Sequence, residues 1–149
     1  MSETIRSYEG LEVWSRGLDL VLRAYSIAVR LPATERYELS SQMRRCAVSI
    51  PSNIAEGHAR RLPKPYLNHI HIALGSLAEW VTYLVVAERL GFITNEVFER
   101  EKRDADRLGQ MLHGLARSLE RRVDRLRVGL ALGGLAVLGF GASLLQVLG

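Results

Sequence analysis

The sequence predicts an all-α protein, an antiparallel up-down-up-down four-helix bundle whose fourth helix extends into an apolar C-terminal helix. Three observations predict it. Apolar residues recur at steps of three and four along four long segments, the spacing of a one-sided helix. Aromatics make up only 7% of the chain, and no Asn-Gly or Asp-Gly pair is present to close a β-hairpin. The connections between segments are short, and short links between long helices place neighbours antiparallel.

The first helix is expected from Tyr8 to Leu31, with an inward stripe of Leu11, Trp14, Leu18, Val21, Leu22, Tyr25 and Val29. Arg16, Asp19, Arg23 and Arg30 lie between these positions, and Pro32 marks the end. Pro32, Thr34 and the polar Glu35, Arg36 and Glu38 then read as a new first turn, so a second helix is expected from about residue 34 to Gly57. Glycine, basic residues and two prolines in residues 57–65 argue for a connection. The third helix is expected from Tyr66 to Leu90, closed by Gly91. Thr94 caps the fourth, whose seam is Val97, Glu101, Ala105, Leu108, Leu112, Leu115, Leu119 and Val123. No stop signal precedes residue 127.

A chain of 149 residues, 48% hydrophobic, supports one core. The division expected is a bundle over residues 1–120 and a basic junction with an apolar helix over 121–149. No internal repeat is visible. The single cysteine, Cys46, has no intramolecular disulfide partner, and the N-terminus lacks the apolar core of a secretory signal, which places the bundle in the cytoplasm.

Val128 to Gly149 is twenty-two residues without a charged side chain, about 33 Å of helix and long enough to cross a bilayer. Arg117, Arg121, Arg122, Arg125 and Arg127 precede it and no charged side chain follows, the asymmetry of a segment whose basic side stays in the cytoplasm. Gly129, Gly133, Gly134 and Gly139 offer small surfaces at which membrane helices approach closely. The bundle is thus expected to be anchored to the inner membrane by its C-terminal helix, with membrane lipid as a partner.

In the second helix the run Arg45 to Gly57, RCAVSIPSNIAEG, places a proline among small polar residues. Ser49, Ser52 and Asn53 lack a general base within the motif, so no catalytic residue is assigned. Ser49, Pro51, Ser52 and Asn53 read instead as a structural kink: proline removes one helical hydrogen bond, and the polar side chains satisfy what it frees. His69 and His71 point to opposite sides of a helix, while His58 and His113 have no acidic or thiol partner nearby in sequence, so no metal site and no cofactor are expected. Cys46 reads as a small buried side chain rather than a nucleophile. Arg44, Arg45, Arg60, Arg61 and Lys64 form a basic cluster of the kind that binds phosphate.

Leu11-Glu12-Val13-Trp14, Gln42 to Gly57 and Ile72-Ala73-Leu74-Gly75-Ser76-Leu77-Ala78-Glu79 resemble the bacterial four-helix-bundle proteins encoded by intervening sequences of 23S ribosomal RNA genes. The resemblance covers about residues 8 to 120. It implies a homo-oligomer, a pentameric ring of bundles, and a relation to the accessory variability determinant of diversity-generating retroelements, which binds nucleic acid and a reverse transcriptase through basic surfaces. It implies no enzyme. The chain departs from the family pattern at His58-Ala59, at Pro63-Lys64-Pro65 and in its apolar tail.

The leading expectation is a non-enzymatic homo-oligomeric scaffold or recruitment protein tethered to the membrane. One alternative is a nucleic-acid-binding accessory subunit of a reverse transcriptase or a structured RNA. Another is an oligomeric pore-forming membrane effector built from the packed tails.

Overall fold

The computed structural model describes the backbone of residues 7–147 and the side chains of residues 7–130. Four helices follow one another: α1, Glu12–Ala28; α2, Leu39–Ala59; α3, Pro63–Arg89; and α4, Asn95–Val147. A 3-10 turn at Tyr8–Gly10 precedes α1, and another at Ala33–Glu35 lies between α1 and α2. No strand occurs among the described residues. Each helix packs against the next and α1 also touches α4, closing an up-down-up-down bundle.

One continuous core runs along the bundle. α1 contributes Leu20, Ala24 and Ile27; α2, Met43, Ala47, Ile50 and Ile54; α3, Ile70, Leu77, Trp80 and Leu84; α4, Leu108, Leu112 and Leu119. By length and composition α3 could cross a membrane, with a mean hydropathy of 1.5 over its most apolar stretch. It is also the central core helix, and core helices pass the same test. The apolar side chains beyond Leu130, and the surroundings of Gly133, Gly134 and Gly139, lie outside the described residues.

The expected inward face of α1 holds at Leu11, Trp14 and Val21, which are partly buried against the core, and is corrected at its other four positions. Leu18, Leu22, Tyr25 and Val29 are 38, 70, 52 and 78% exposed, whereas Val13, Gly17, Leu20, Ala24, Ile27 and Ala28 are buried. The buried face is offset by one residue, about 100° round the helix. The cause is small side chains: a Cβ added at Gly17 would lie 3.3 Å from the Pro51 Cβ, so α1 and α2 meet nearly backbone to ring. Gly17, Ala24 and Ala28 leave only Val13, Leu20 and Ile27 as large side chains on the buried face, and the larger residues one step round the helix dominate the sequence pattern.

Three boundaries of α2 and α3 also move. Thr34 lies in the 3-10 turn, where the Glu35 amide donates to the Pro32 carbonyl at 2.8 Å, and α2 begins only at Leu39 after a break in the backbone at Glu38. The buried Ser40 hydroxyl then donates to the Ala28 carbonyl, tying the start of α2 to the end of α1. Gly57 is a buried position inside α2 rather than its end, and Pro63 and Pro65 belong to the first turn of α3. Proline suits that place because the first-turn amides of a helix have no intrahelical acceptor.

α1 is shorter than the expected Tyr8–Leu31, whereas the end signals at Thr94 and Gly91 match the structure. Thr94 Oγ1 accepts from the Val97 amide at 3.3 Å at the start of α4. Gly91, at φ +72, closes α3: its amide donates to Glu88 and the Phe92 amide to Ala87, the paired bonds of a Schellman cap.

Candidate functional site

The polar residues of α2 face α3 along one line. Asn53 Nδ2 donates to the Ser49 carbonyl at 2.9 Å and to Ser49 Oγ at 3.1 Å, and the Ser76 hydroxyl donates to the same Ser49 Oγ at 2.8 Å. Asn53 Oδ1 remains as an acceptor, so the 2.9 Å contact with His69 requires a proton on Nδ1. His69 Nε2 then faces Glu56 at 3.7 Å, and Glu56 also takes Arg60 Nη2 at 2.7 Å. The Arg60 hydrogen bond, with His69 second, holds the Glu56 carboxyl below its ordinary range. The chain runs Ser76, Ser49, Asn53, His69, Glu56, Arg60.

α2 is continuous through Pro51, which is buried against Gly17. Ser52 faces solvent. The structure thus joins Ser49 and Asn53 to two α3 residues, Ser76 and His69, that lie sixteen to twenty-seven positions away in sequence. It also brings a histidine to a motif that contains none. Ser49 Oγ is an acceptor for both Asn53 and Ser76, and His69 is engaged by Asn53, so these groups bind one another and fix α2 against α3.

Close helix approach makes this possible. A Cβ at Gly57 would fall 2.5 Å from Tyr66 Cδ2 and 2.8 Å from the His69 Cβ. The Tyr66 hydroxyl is buried without a partner, and burial pushes its pKa up to about 12 although the Arg122 charge pulls the other way. His58 stands edge-on to the Tyr66 ring at 5.9 Å. His71 and His113 face solvent. Among the described residues no group of three His, Cys, Asp or Glu side chains could hold a metal.

Cys46 is buried, its Sγ donates to the Met43 carbonyl at 3.3 Å, and burial, with Glu79 adding to it, raises the thiol to about 12.

The five basic residues expected to act together fall into two places. Arg44 and Arg45 lie in the first half of α2; Arg60, Arg61 and Lys64 surround the α2–α3 turn, about 22 Å farther along the helix. Arg44 spans the Arg36 carbonyl at 3.4 Å and the Tyr25 ring at 5.9 Å. With Arg45, Ser41, Val48 and Ser49 it lines a shallow groove between α1 and α2.

Two further features lie away from the α2–α3 line. Glu101, placed on the α4 seam by its spacing, is 1% exposed and held by Arg23 Nε at 2.8 Å and Arg100 Nη2 at 3.1 Å. Beside it a cleft of about 340 Å³ opens between α1 and the α3–α4 turn, lined by Ile27, Arg30, Phe92 and Thr94 among others.

A crystal structure of a protein of unknown function from the S23 ribosomal protein family of Bacteroides thetaiotaomicron is similar to this chain, with 25% identity and a TM-score of 0.64. The match covers 70% of this chain and 97% of that one. A comparison with curated proteins gives no match. The model of the 23S rRNA-intervening sequence protein family matches residues 9–114, from the turn before α1 into the first half of α4, and the chain belongs to that family.

Proposed function

We propose that the chain is a non-enzymatic homo-oligomeric scaffold or recruitment protein, tethered to the membrane by the continuation of α4. The observation that carries the reading is the uncovered face of α1, where Leu18, Leu22, Tyr25 and Val29 stand in solvent. An apolar stripe of this kind along a helix suits a protein surface. A second copy of the chain is the occupant that family resemblance favours, in a ring of five. The polar groups of the α2–α3 seam support a framework role, since they are spent on one another. The tether draws support from the uncharged Val128–Gly149 segment and the arginines before it.

Light scattering of the full chain in mild detergent tests the oligomer. The parent is expected at several times the monomer mass, and the double variant Leu22→Glu/Val29→Glu at the monomer mass. A monomeric parent, or a variant of unchanged mass, overturns it. Fractionation tests the tether: the full chain is expected with membranes, and a full chain that stays soluble without detergent overturns it.

A second reading, a nucleic-acid-binding accessory subunit, draws on the groove where Arg44 and Arg45 stand beside Tyr25, since guanidinium and aromatic faces suit phosphate and base. RNA affinity that is insensitive to salt and survives Arg44→Glu/Arg45→Glu overturns it.

A further inference from the structure

The two basic clusters that the sequence separates by more than fifty residues meet at one end of the bundle. Leu77 of α3 lies against Gly109 of α4, and a Cβ there would sit 3.4 Å from Leu77 Cδ2. Following the two antiparallel helices from that point brings the α2–α3 turn level with about Arg122 to Arg125. The Arg122 charge acts on Tyr66, one turn into α3, as this register requires.

The turn itself has an unusual composition. Arg60, Arg61 and Lys64 surround Leu62, which is 62% exposed although it is a large apolar side chain at the tip of a charged loop. Arg61 adopts φ +58, a left-handed conformation that a glycine takes without steric cost, so the turn keeps an arginine where the backbone favours a residue with no side chain. Across from it on α4, Arg125 is followed by Leu126, 56% exposed. Six bases, Arg60, Arg61, Lys64, Arg121, Arg122 and Arg125, stand here against Glu56, Glu120 and Asp124, and Glu56 is already held by Arg60.

We infer that this end of the bundle is a second membrane contact, in which Arg61, Lys64, Arg122 and Arg125 bind the phosphates of anionic phospholipid headgroups while Leu62 enters the interface between headgroups and acyl chains. The inference rests on the tether reading for its geometry. The uncharged stretch begins at Val128, three residues beyond Arg125, about 4.5 Å along α4, so a tail that spans the bilayer puts the turn at headgroup depth. Exposed apolar side chains set among bases are the chemistry of an interfacial anchor, whose strength rises with anionic lipid and falls with salt. A free polyanion such as RNA would meet the same charges but has no use for the exposed leucine.

The test uses the full chain with Leu62→Trp as reporter, in vesicles of phosphatidylcholine alone or with a minority of phosphatidylglycerol, the parent spectrum being subtracted. Flotation with the neutral vesicles reads the tail. The emission of the introduced indole reads the turn. The expected result is flotation in both lipids, with a blue shift and quenching by brominated acyl chains several-fold stronger in the anionic vesicles. Charge reversal by Arg61→Glu/Lys64→Glu is expected to abolish the shift while flotation persists.

Emission that is equal in the two lipids, indifferent to charge reversal, or shifted by RNA but by no vesicle overturns the headgroup site. Absence of flotation from neutral vesicles overturns the tether alone, since a turn that still shifts only on anionic vesicles retains the site as a peripheral contact.

Discussion

The two flanks of α2 are built on opposite principles. Towards α3, a glycine admits a tyrosine and a histidine to the helix surface, and a line of hydrogen bonds fixes the register. Towards α1, small residues and Pro51 bring the helices together, Ser40 supplies a hydrogen bond and Arg44 lies over the Tyr25 ring, while Leu18, Leu22 and Val29 of α1 face outwards. The difference teaches that a close approach at one glycine, Gly57 or Gly17, can be secured by hydrogen bonds on one flank and by apolar packing on the other. One flank spends its chemistry inside the molecule; the other leaves its apolar side chains facing outwards.

The largest test lies in the core that both flanks share. Trp80 is 0% exposed and its Nε1 has no partner, so Trp80→Ala leaves a large cavity and is expected to cost about 3–5 kcal/mol in denaturant unfolding followed by circular dichroism. Next, Gly57→Ala drives a methyl into the Tyr66 ring and the His69 Cβ, which have no flexible end to yield. A loss of about 1–3 kcal/mol is expected, and a neutral outcome would mean that the α2–α3 approach is looser than described.

Alkaline unfolding is a third test. Tyr66 and Cys46 are both pushed up to about 12 in the folded chain, from ordinary values of 10.0 and 9.0. The unfolded chain therefore loses these protons first, and stability falls as pH rises above the ordinary values until the folded values are reached. Each group contributes at most about 1.4 kcal/mol per pH unit, and less where solvent screens the anion. Tyr66→Phe is expected to flatten the fall above pH 10.0 without loss at neutral pH, because the hydroxyl it removes has no hydrogen-bond partner. A variant with the parent's alkaline profile would place the ionisation elsewhere.

The smallest effect belongs to the outer flank. Leu22 is 70% exposed, and Leu22→Ser is expected to change the stability of the dissociated chain by no more than about 0.5 kcal/mol. A loss of several kcal/mol in a monomer would mean that this face packs within the chain.

Much of the fold was legible because the signals were local. The Thr94 cap, the Gly91 turn and the α4 seam each depend on residues within one or two turns of each other. The face of α1 was legible only in part, since its phase is set by how closely Gly17 and Ala24 let α2 approach, a property of two helices together. For the same reason Ser49 and Asn53 were readable as polar groups in a helix, but their bonds to Ser76 and His69 were not. Glu101 looked like a seam position by spacing alone; only folding brings Arg23, seventy-eight residues away, to neutralise it.

Cys46 has a practical corollary. A thiol held near 12 and enclosed by the core carries almost no thiolate at neutral pH, and thiolate is the form that alkylating reagents attack. The native chain is therefore a silent background for maleimide labelling, so a cysteine introduced at the outer face of α1 or at the α2–α3 turn takes the probe alone. Left as it is, the same thiol becomes a clock: the rate at which it is alkylated counts how often the bundle opens.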